Sequence, residues 1–344
     1  MDILIGQYRL FNYDNIIPDK ICHDNIMIYD KIDYNQLNNI EYINFFDIEF
    51  RYDHNNFRIP YYKNNQIKAI KINIDEIYNY ISSASLIPDT EIISGEKIQY
   101  FADIVIGNPS SLSFNPNNRL FSKKIDSIQS INDISIYKSI FVFTHDLEDF
   151  YNKFDNQLQD KIIISHNSDH EISIIKNVKL HIAQNCLIND HKLLSIPIGI
   201  ENSQWFDHSI FHKIRKLNIS KKKNIYFFFN LNTHNTRQEC YNILQSKLEW
   251  NNNKNKEEYF KELATHKYAV CPRGNGIDTH RIWECLYLNV IPIIISKDYI
   301  NIDNLPIIIL NDWSFLNCNI LNKIQFSNQQ YNKLLLFFYN KYII

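Results

Sequence analysis

The sequence predicts an α/β chain in two halves, each a parallel sheet covered by helices. Three observations carry this. From about residue 136 short apolar runs alternate with helix-spaced segments, a polar and basic stretch at 203–223 interrupts the series, and 344 residues with 45% hydrophobic content are enough for two cores. The apolar runs are continuous rather than alternating, as expected of strands buried on both faces.

The first hundred residues mix isoleucine- and aromatic-rich runs with Asn/Asp turns and hold no sustained period. In "SIYKSIFVFTHDLEDFYNKF" a strand ends near Thr144, and Leu147, Phe150 and Phe154 follow at helical spacing. "KIIISHNSDHEI" repeats the plan with a strand at 161–165, "KLHIAQNC" (179–186) gives a third strand, and "LLSIPIGIEN" (193–202) a fourth ending in a Pro/Gly turn. After the link come a strand at 224–230, helices in "HNTRQECYNILQSKL" and "KEEYFKELATHK", a strand in "YAVCP", a helix in "DTHRIWECLYL", and strands in "VIPIIIS" and "LPIIIL". The amphipathic "NQQYNKLLLFFYNKYII" is expected to close the fold as a helix. The organisation expected is a domain over 1–202, a linker over 203–223, a second domain over 224–325 and a closing helix over 326–344.

Composition excludes several classes. Net charge is −2 with no long block of one sign, so the electrostatic footprint of a nucleic-acid partner is missing. The one basic run, "KIRKLNISKKKN" (213–224), reads as a solvated linker. No stretch approaches the ~18 consecutive apolar residues of a membrane span, and "MDILIGQYRLFNYDN" lacks the order of a secretory leader. Six cysteines without a CxxC or metal spacing fit reduced thiols and no structural zinc. A cytosolic protein is therefore expected. Heavy use of Asn, Ile, Lys and Tyr with few Gly and Ala reads as the coding bias of an A/T-rich genome.

Only six glycines occur in the chain, and two of them fall within "CPRGNGIDTHRIWE" (271–284). The order is strand, glycine turn, helix. Glycines permit close backbone approach, and a helix start offers unpaired N–H groups with a partial positive charge, so this turn suits a phosphate. Arg273 and Arg281 add permanent cations, and Asp278 or Thr279 can cap the helix. A Walker loop is ruled out because no lysine follows the glycines. "GNGIDT" lacks the third glycine of a dinucleotide fingerprint, although Asp298 lies near the distance of its acidic partner. The alternative is an ordinary strand-to-helix turn with Arg281 paired to Glu284 one turn along.

The wider stretch "EYFKELATHKYAVCPRGNGIDTHRIWECLYLNVIPIII", with "NDWSF" after it, resembles the C-terminal half of exostosin-like glycosyltransferases. That family shows a helix before a "(F/Y)xxCPRG" strand and turn, an "R(I/F)xE" helix, an "IPV(I/V)" strand and a later "DW". Upstream "IPIGIEN" and "YFFFNLNTHNTRQE" extend the likeness to about 196–315. The resemblance implies a GT-B architecture, two Rossmann-like domains facing each other across a cleft, with a nucleotide-diphosphate sugar held by the C-terminal one. It places Arg273, Gly274, Asn275, Gly276, Thr279 and Arg281 near the donor diphosphate and Glu284 near the ribose. The loop "FFFNLNTHNTRQE" would add Asn232, Thr233 and Arg237, with Asn230 where many members have glycine.

Inverting transfer needs a base for the acceptor hydroxyl. Two clusters follow strands on the N-terminal side: "SHNSDHE" offers Asp169 and His166, and "THDLED" offers Asp146 and His145, although each Asp can instead cap a helix. Glu201 and Asn202 lie at the domain junction. No DxD stands at a strand end; "DIE" (47–49) and "DLE" (146–148) are DxE. Leaving-group stabilisation by arginines and a helix terminus is therefore expected, with no metal and no cofactor beyond the donor as co-substrate. Trp205, Trp283 and Trp313 can stack on a base or a sugar, with buried packing the expected duty of each. The expected function is transfer from a UDP-sugar to a glycan or glycoprotein hydroxyl. The rivals are an NAD-dependent oxidoreductase using "GNGIDT" and Asp298, and a non-catalytic carbohydrate- or nucleotide-binding protein.

Overall fold

The computed structural model describes residues 2–5, 8–12, 51–53, 56–63, 66–73, 84, 87, 89–114, 125–217, 219–252, 255–295, 302, 304–317, 321, 324, 326, 331–334 and 336–343. Asp298 and the DxE at 47–49 lie outside them. The chain forms two compact units, Met1–Glu91 with Gln330–Tyr342, and Ile92–Gln329.

In the first unit β1 (Asp2–Ile5) pairs antiparallel with β2 (Tyr8–Asn12), and β3 (Arg51–Asp53), β4 (Asn56–Lys63) and β5 (Gln66–Asn73) form an antiparallel meander. The expected closing segment includes a 3₁₀ turn, Tyr331–Leu334, and a helix, Leu336–Ile343.

The second unit holds two parallel sheets. The first consists of β6 (Ile104–Gly107), β7 (Ile125–Ser127), β8 (Ser139–Phe143), β9 (Ile162–His166), β10 (Leu180–Ala183) and β11 (Leu193–Ser195), in the spatial order β11-β10-β9-β8-β6-β7. The parallel sheet expected within 1–202 therefore occupies 104–195. Every pairing is parallel, and β6, β8 and β9 are buried throughout, which explains their unbroken apolar sequence. β7 lies on one side of β6 and β8 on the other, so chain direction across the sheet reverses between β6 and β8. Such a switch point leaves a crevice outside the carboxyl ends of the two strands.

The second sheet runs β12 (Lys223–Tyr226), β13 (His266–Val270), β14 (Ile291–Ile295) and β15 (Ile308–Leu310) in sequence order, all parallel. The helices are α1 (Gly95–Phe101), α2 (Pro109–Phe114), α3 (Leu147–Phe154), α4 (His208–Arg215), α5 (Asn235–Leu244), α6 (Lys256–Ala264) and α7 (His280–Tyr287). The α/β class with two Rossmann-like parallel sheets is thus what the sequence predicts.

Helix α3 shows why. Leu147, Phe150, Tyr151 and Phe154 form one buried stripe that packs with Ile104, Ile140 and Ile163 of the sheet. Each such side chain contributes about 1.5–3 kcal/mol on burial. The second core gathers Phe227, Phe229, Tyr268, Val270, Ile293 and Ile295 around Trp313.

The stretch 203–223, expected as the interdomain link, contains helix α4. Asp207 caps α4, Phe211 and Ile214 are buried on it, and Phe211 meets Phe260 of α6 at 4.9 Å. Lys221 Nζ donates to the carbonyls of Ala264 and Leu288, and burial lowers its ammonium to about 8. α4 ends at Arg215, three residues into the basic run 213–224, and most of the described remainder of that run is exposed.

Asn167 and Asn185, just after β9 and β10, have φ of 56° and 53°. Asparagine tolerates this left-handed region better than other non-glycine residues. In a glycine-poor chain it takes the tight positions at strand ends. No helix among the described residues is long and apolar enough to cross a membrane.

Candidate functional site

Two adjoining cavities open at the carboxyl ends of the sheets. The first, about 510 Å³, lies at the β6/β8 switch point and is lined from β8, β9 and the segment after β11. Asp146, buried, accepts from the Asn108 backbone N–H at 2.9 Å and from Asn108 Nδ2 at 2.7 Å. It holds the β6 loop in place. His145 beside it meets Ser111 Oγ at 2.8 Å and stacks on Phe143. Asn202 donates to Asn167 Oδ1 and accepts from the Glu96 N–H.

The second cavity, about 360 Å³, lies under the β12 and β13 loops and the start of α7. Thr279 is the N-cap residue of α7 but makes no capping bond, and its buried Oγ1 has no partner. The first N–H groups of α7 therefore lack a side-chain acceptor, the condition in which a helix start receives an anion. Arg237 is held across this opening by three bonds, to the carbonyls of Arg273 and Asn230 and to Thr233 Oγ1. Burial lowers its guanidinium to about 10, which leaves it charged at neutral pH. Arg281 donates to the Phe228 carbonyl and lies 5.1 Å from the Tyr259 ring.

Glu284 is 3% exposed. Its Oε2 accepts from Tyr259 OH at 2.7 Å, while Oε1 is buried in the cavity wall with no partner. The Arg281–Glu284 ion pair of the alternative, ordinary-turn reading does not form. Tyr259 stands between them instead, offering its ring to the cation and its hydroxyl to the carboxylate.

The two glycines of the turn do different things. A Cβ on Gly276 would lie 2.8 Å from Asn185 Nδ2, so its bare backbone serves contact between the two sheets' loops rather than phosphate approach. A Cβ on Gly274 would meet Arg237 Nη2 at 3.4 Å and Thr279 Cγ2 at 3.5 Å, the walls of the opening. Asn185 is buried, accepts from the Asp278 N–H at 2.8 Å and donates to the Ser168 carbonyl. Gly276→Ala should therefore lower stability by about 1–3 kcal/mol through overpacking against a side chain fixed at both ends. A urea titration with an unchanged midpoint would contradict this.

Asp278 joins the halves further. It accepts from the Ile198 N–H at 2.7 Å and from Trp283 Nε1 at 2.6 Å, and burial pushes its carboxyl up to about 7. His280, at the start of α7, donates from Nδ1 to the Gly199 carbonyl at 2.9 Å, which leaves Nε2 as an acceptor with no partner among the described residues. Asp169, Ile198 and His280 line both cavities. Asp169 is exposed and makes no hydrogen bond or ion pair among the described residues.

Three predicted positions lie elsewhere. His166 is fully buried, with Nε2 donating to the Pro197 carbonyl at 2.9 Å, and lines neither cavity. It anchors the segment after β11 and is not placed to act as a base. Arg273 turns to Glu171, with which it pairs at 3.0 Å, and lines neither cavity, while its carbonyl accepts from Arg237 Nε. Asn232 is exposed, its N–H held by Asn230 Oδ1 in a local turn. Glu201 does line the second cavity but is paired with Lys256, which sits against Phe206, Tyr259 and Phe260. Asn275 lines the cavity, and its carbonyl takes Arg273 Nη2.

Sequence reasoning missed Asn185, Lys256, Tyr259 and His280. His280 stood inside the motif and its position at the helix start was the available signal. Asn185 and Tyr259 reach the site only through the fold. Trp205, expected to pack, is 64% exposed at the first cavity, whereas Trp283 and Trp313 are buried.

A pH dependence follows from the buried groups. Burial pushes both His166 and His181 down to about 4. Unfolding lets them take up protons near their ordinary value, so their stabilising contribution is present above pH 6.5 and is lost as pH falls toward 4, by about 3 kcal/mol each. Asp278 acts oppositely between about pH 4 and 7, because its raised carboxyl favours the folded state most where it is protonated. Melting temperature should fall from pH 7 to pH 4.5, and Asp278→Asn should steepen the fall; a flat profile would contradict the assignment.

No protein-family model matches the chain, and no curated protein does. Among solved structures it is similar to one described as "Crystal Structure of alpha1,3-Fucosyltransferase", with a TM-score of 0.35 and 12% identity, the match covering 67% of this chain and 78% of that one.

Proposed function

We propose that the protein is a glycosyltransferase that moves a sugar from a nucleotide-diphosphate donor in the second cavity to a hydroxyl acceptor in the first. The observation that carries this is the junction: one cavity has an uncapped helix start with a fixed guanidinium, the other a polar wall, and Asp169 and His280 line both. The motif resemblance to exostosin-like enzymes supports the same reading.

In this reading the diphosphate meets the N–H groups of α7, Thr279 Oγ1 and Arg237, and Glu284 Oε1 accepts from the ribose hydroxyls. Asp169 takes the proton of the acceptor hydroxyl. The acceptor oxygen then bonds to the anomeric carbon from the opposite side as the carbon–oxygen bond to the diphosphate breaks, its electron pair leaving with the phosphate. Charge developing on the leaving group is met by fixed donors, an arrangement that works without reorganisation. Asp169 is preferred to His280 as base because an imidazolium at the start of α7 would be opposed by the helix dipole.

We assign the donor to UDP-sugars, the acceptor to a glycan or glycoprotein, the outcome to inversion, and the mechanism to metal-independent catalysis. The test is release of nucleoside diphosphate from a panel of UDP-, GDP- and dTDP-sugars with mixed glycan acceptors in chelator. Donor-specific release supports the reading, and turnover only on adding Mn²⁺ overturns the metal-independent part.

A further inference from the structure

The first cavity has a chemical bias of its own. Its lining includes no lysine or arginine, and it does include the carboxylates Asp146 and Asp169. Asp146 has both oxygens engaged by Asn108, but Asp169 is unpartnered. The two histidines present are not permanent cations: His280 Nδ1 is committed to the Gly199 carbonyl and His145 Nε2 meets Ser111 Oγ. An anionic ligand here would face an uncompensated carboxylate in a partly desolvated wall.

Neutral polar groups make up much of the remainder, and two of them are incomplete. Asn167 Nδ2 and Gln204 Oε1 are buried without a partner, one a donor and one an acceptor. A hydroxyl both donates and accepts, so a polyol satisfies both kinds of group, whereas an acid or an amine satisfies one. Beside Gln204, Trp205 presents a ring that is 64% exposed although it adjoins a concave surface. The neighbouring Phe206 is buried, so the backbone there is fixed while the indole is left to the cavity. An apolar face with a polar rim is the surface a pyranose ring matches, its C–H face on the indole and its hydroxyls on the amides.

We propose that this cavity binds a neutral, hydroxyl-rich sugar stacked on Trp205, and selects against uronate-, sialate-, sulfate- or phosphate-bearing residues at that position. As an acceptor assignment it rests on the glycosyltransferase reading, but the binding claim is tested apart from it.

The experiment is a glycan array of matched neutral and acidic oligosaccharides, probed with wild type, Trp205→Ala and Trp205→Phe, with and without UDP, alongside calorimetry of UDP alone. Wild type should capture neutral glycans and hold their acidic counterparts about tenfold or more weakly. Trp205→Ala should lose about tenfold or more of that capture with unchanged UDP affinity, and Trp205→Phe should keep most of it. Equal or stronger capture of acidic glycans, no capture of neutral ones, or full capture by Trp205→Ala would each overturn the proposal. If UDP does not bind but neutral glycans are captured through Trp205, the sugar site stands and the transferase reading falls. If UDP binds and neutral glycans do not, the reverse holds.

Discussion

Glu284→Gln is expected to weaken UDP binding by about 10- to 100-fold, the worth of hydrogen bonds to a charged acceptor, while the melting temperature changes little. The expectation comes from a carboxylate divided between two tasks. Oε2 is taken by Tyr259 OH, and glutamine can keep that bond with its carbonyl. Oε1 is buried and unpartnered on the cavity side, and glutamine places an NH₂ there. A ribose diol, which must donate to that atom, then meets a donor. Full UDP affinity in the variant, measured by calorimetry, would remove Glu284 from the donor site and leave it a residue that holds Tyr259 under Arg281.

Asp169→Asn is expected to lower turnover by about 10²–10⁴-fold, the range for loss of a positioned base, with UDP affinity unchanged. Asp169 has no partner to lose among the described residues, so stability should also be unaffected. Asp146→Asn is the contrast. Two bonds to Asn108 depend on that carboxylate, and its loss should appear first as a lower melting temperature. His166→Ala should likewise destabilise, because it leaves the Pro197 carbonyl buried without its donor. Normal turnover in Asp169→Asn with lost turnover in His280→Gln would move the base to His280.

What was legible in the sequence was whatever depends on local period. The strand–helix alternation from Ser139 onward is there in the structure, with β8, β9, β13 and α7 where the apolar runs and the helical stripe put them. So is the strand–turn–helix order at 271–284, although the expected cap does not form: Thr279 makes no capping bond and Asp278 is engaged by Ile198 and Trp283. Contacts over long separations were not legible. Gly276 looked like a phosphate glycine, but its space is taken by Asn185, ninety residues or so earlier in the chain, and nothing near Asn185 marks it. Arg273 looked like a phosphate cation, but it pairs with Glu171 on the other half. His166 and Asp169 looked equivalent after one strand; β9 buries the first and releases the second into the cavity. For Trp205 the sequence leaves packing and stacking open, and its 64% exposure decides against packing.

The central claim is that the opening between Arg237, Thr279 and Glu284 holds a nucleoside diphosphate. Calorimetric titration of the wild-type protein with UDP, GDP, dTDP and NAD⁺ in chelator tests it most directly. The account predicts saturable one-site binding of a nucleoside diphosphate, UDP foremost, which Arg237→Ala abolishes. Binding of NAD⁺ with no response to any nucleoside diphosphate would contradict it.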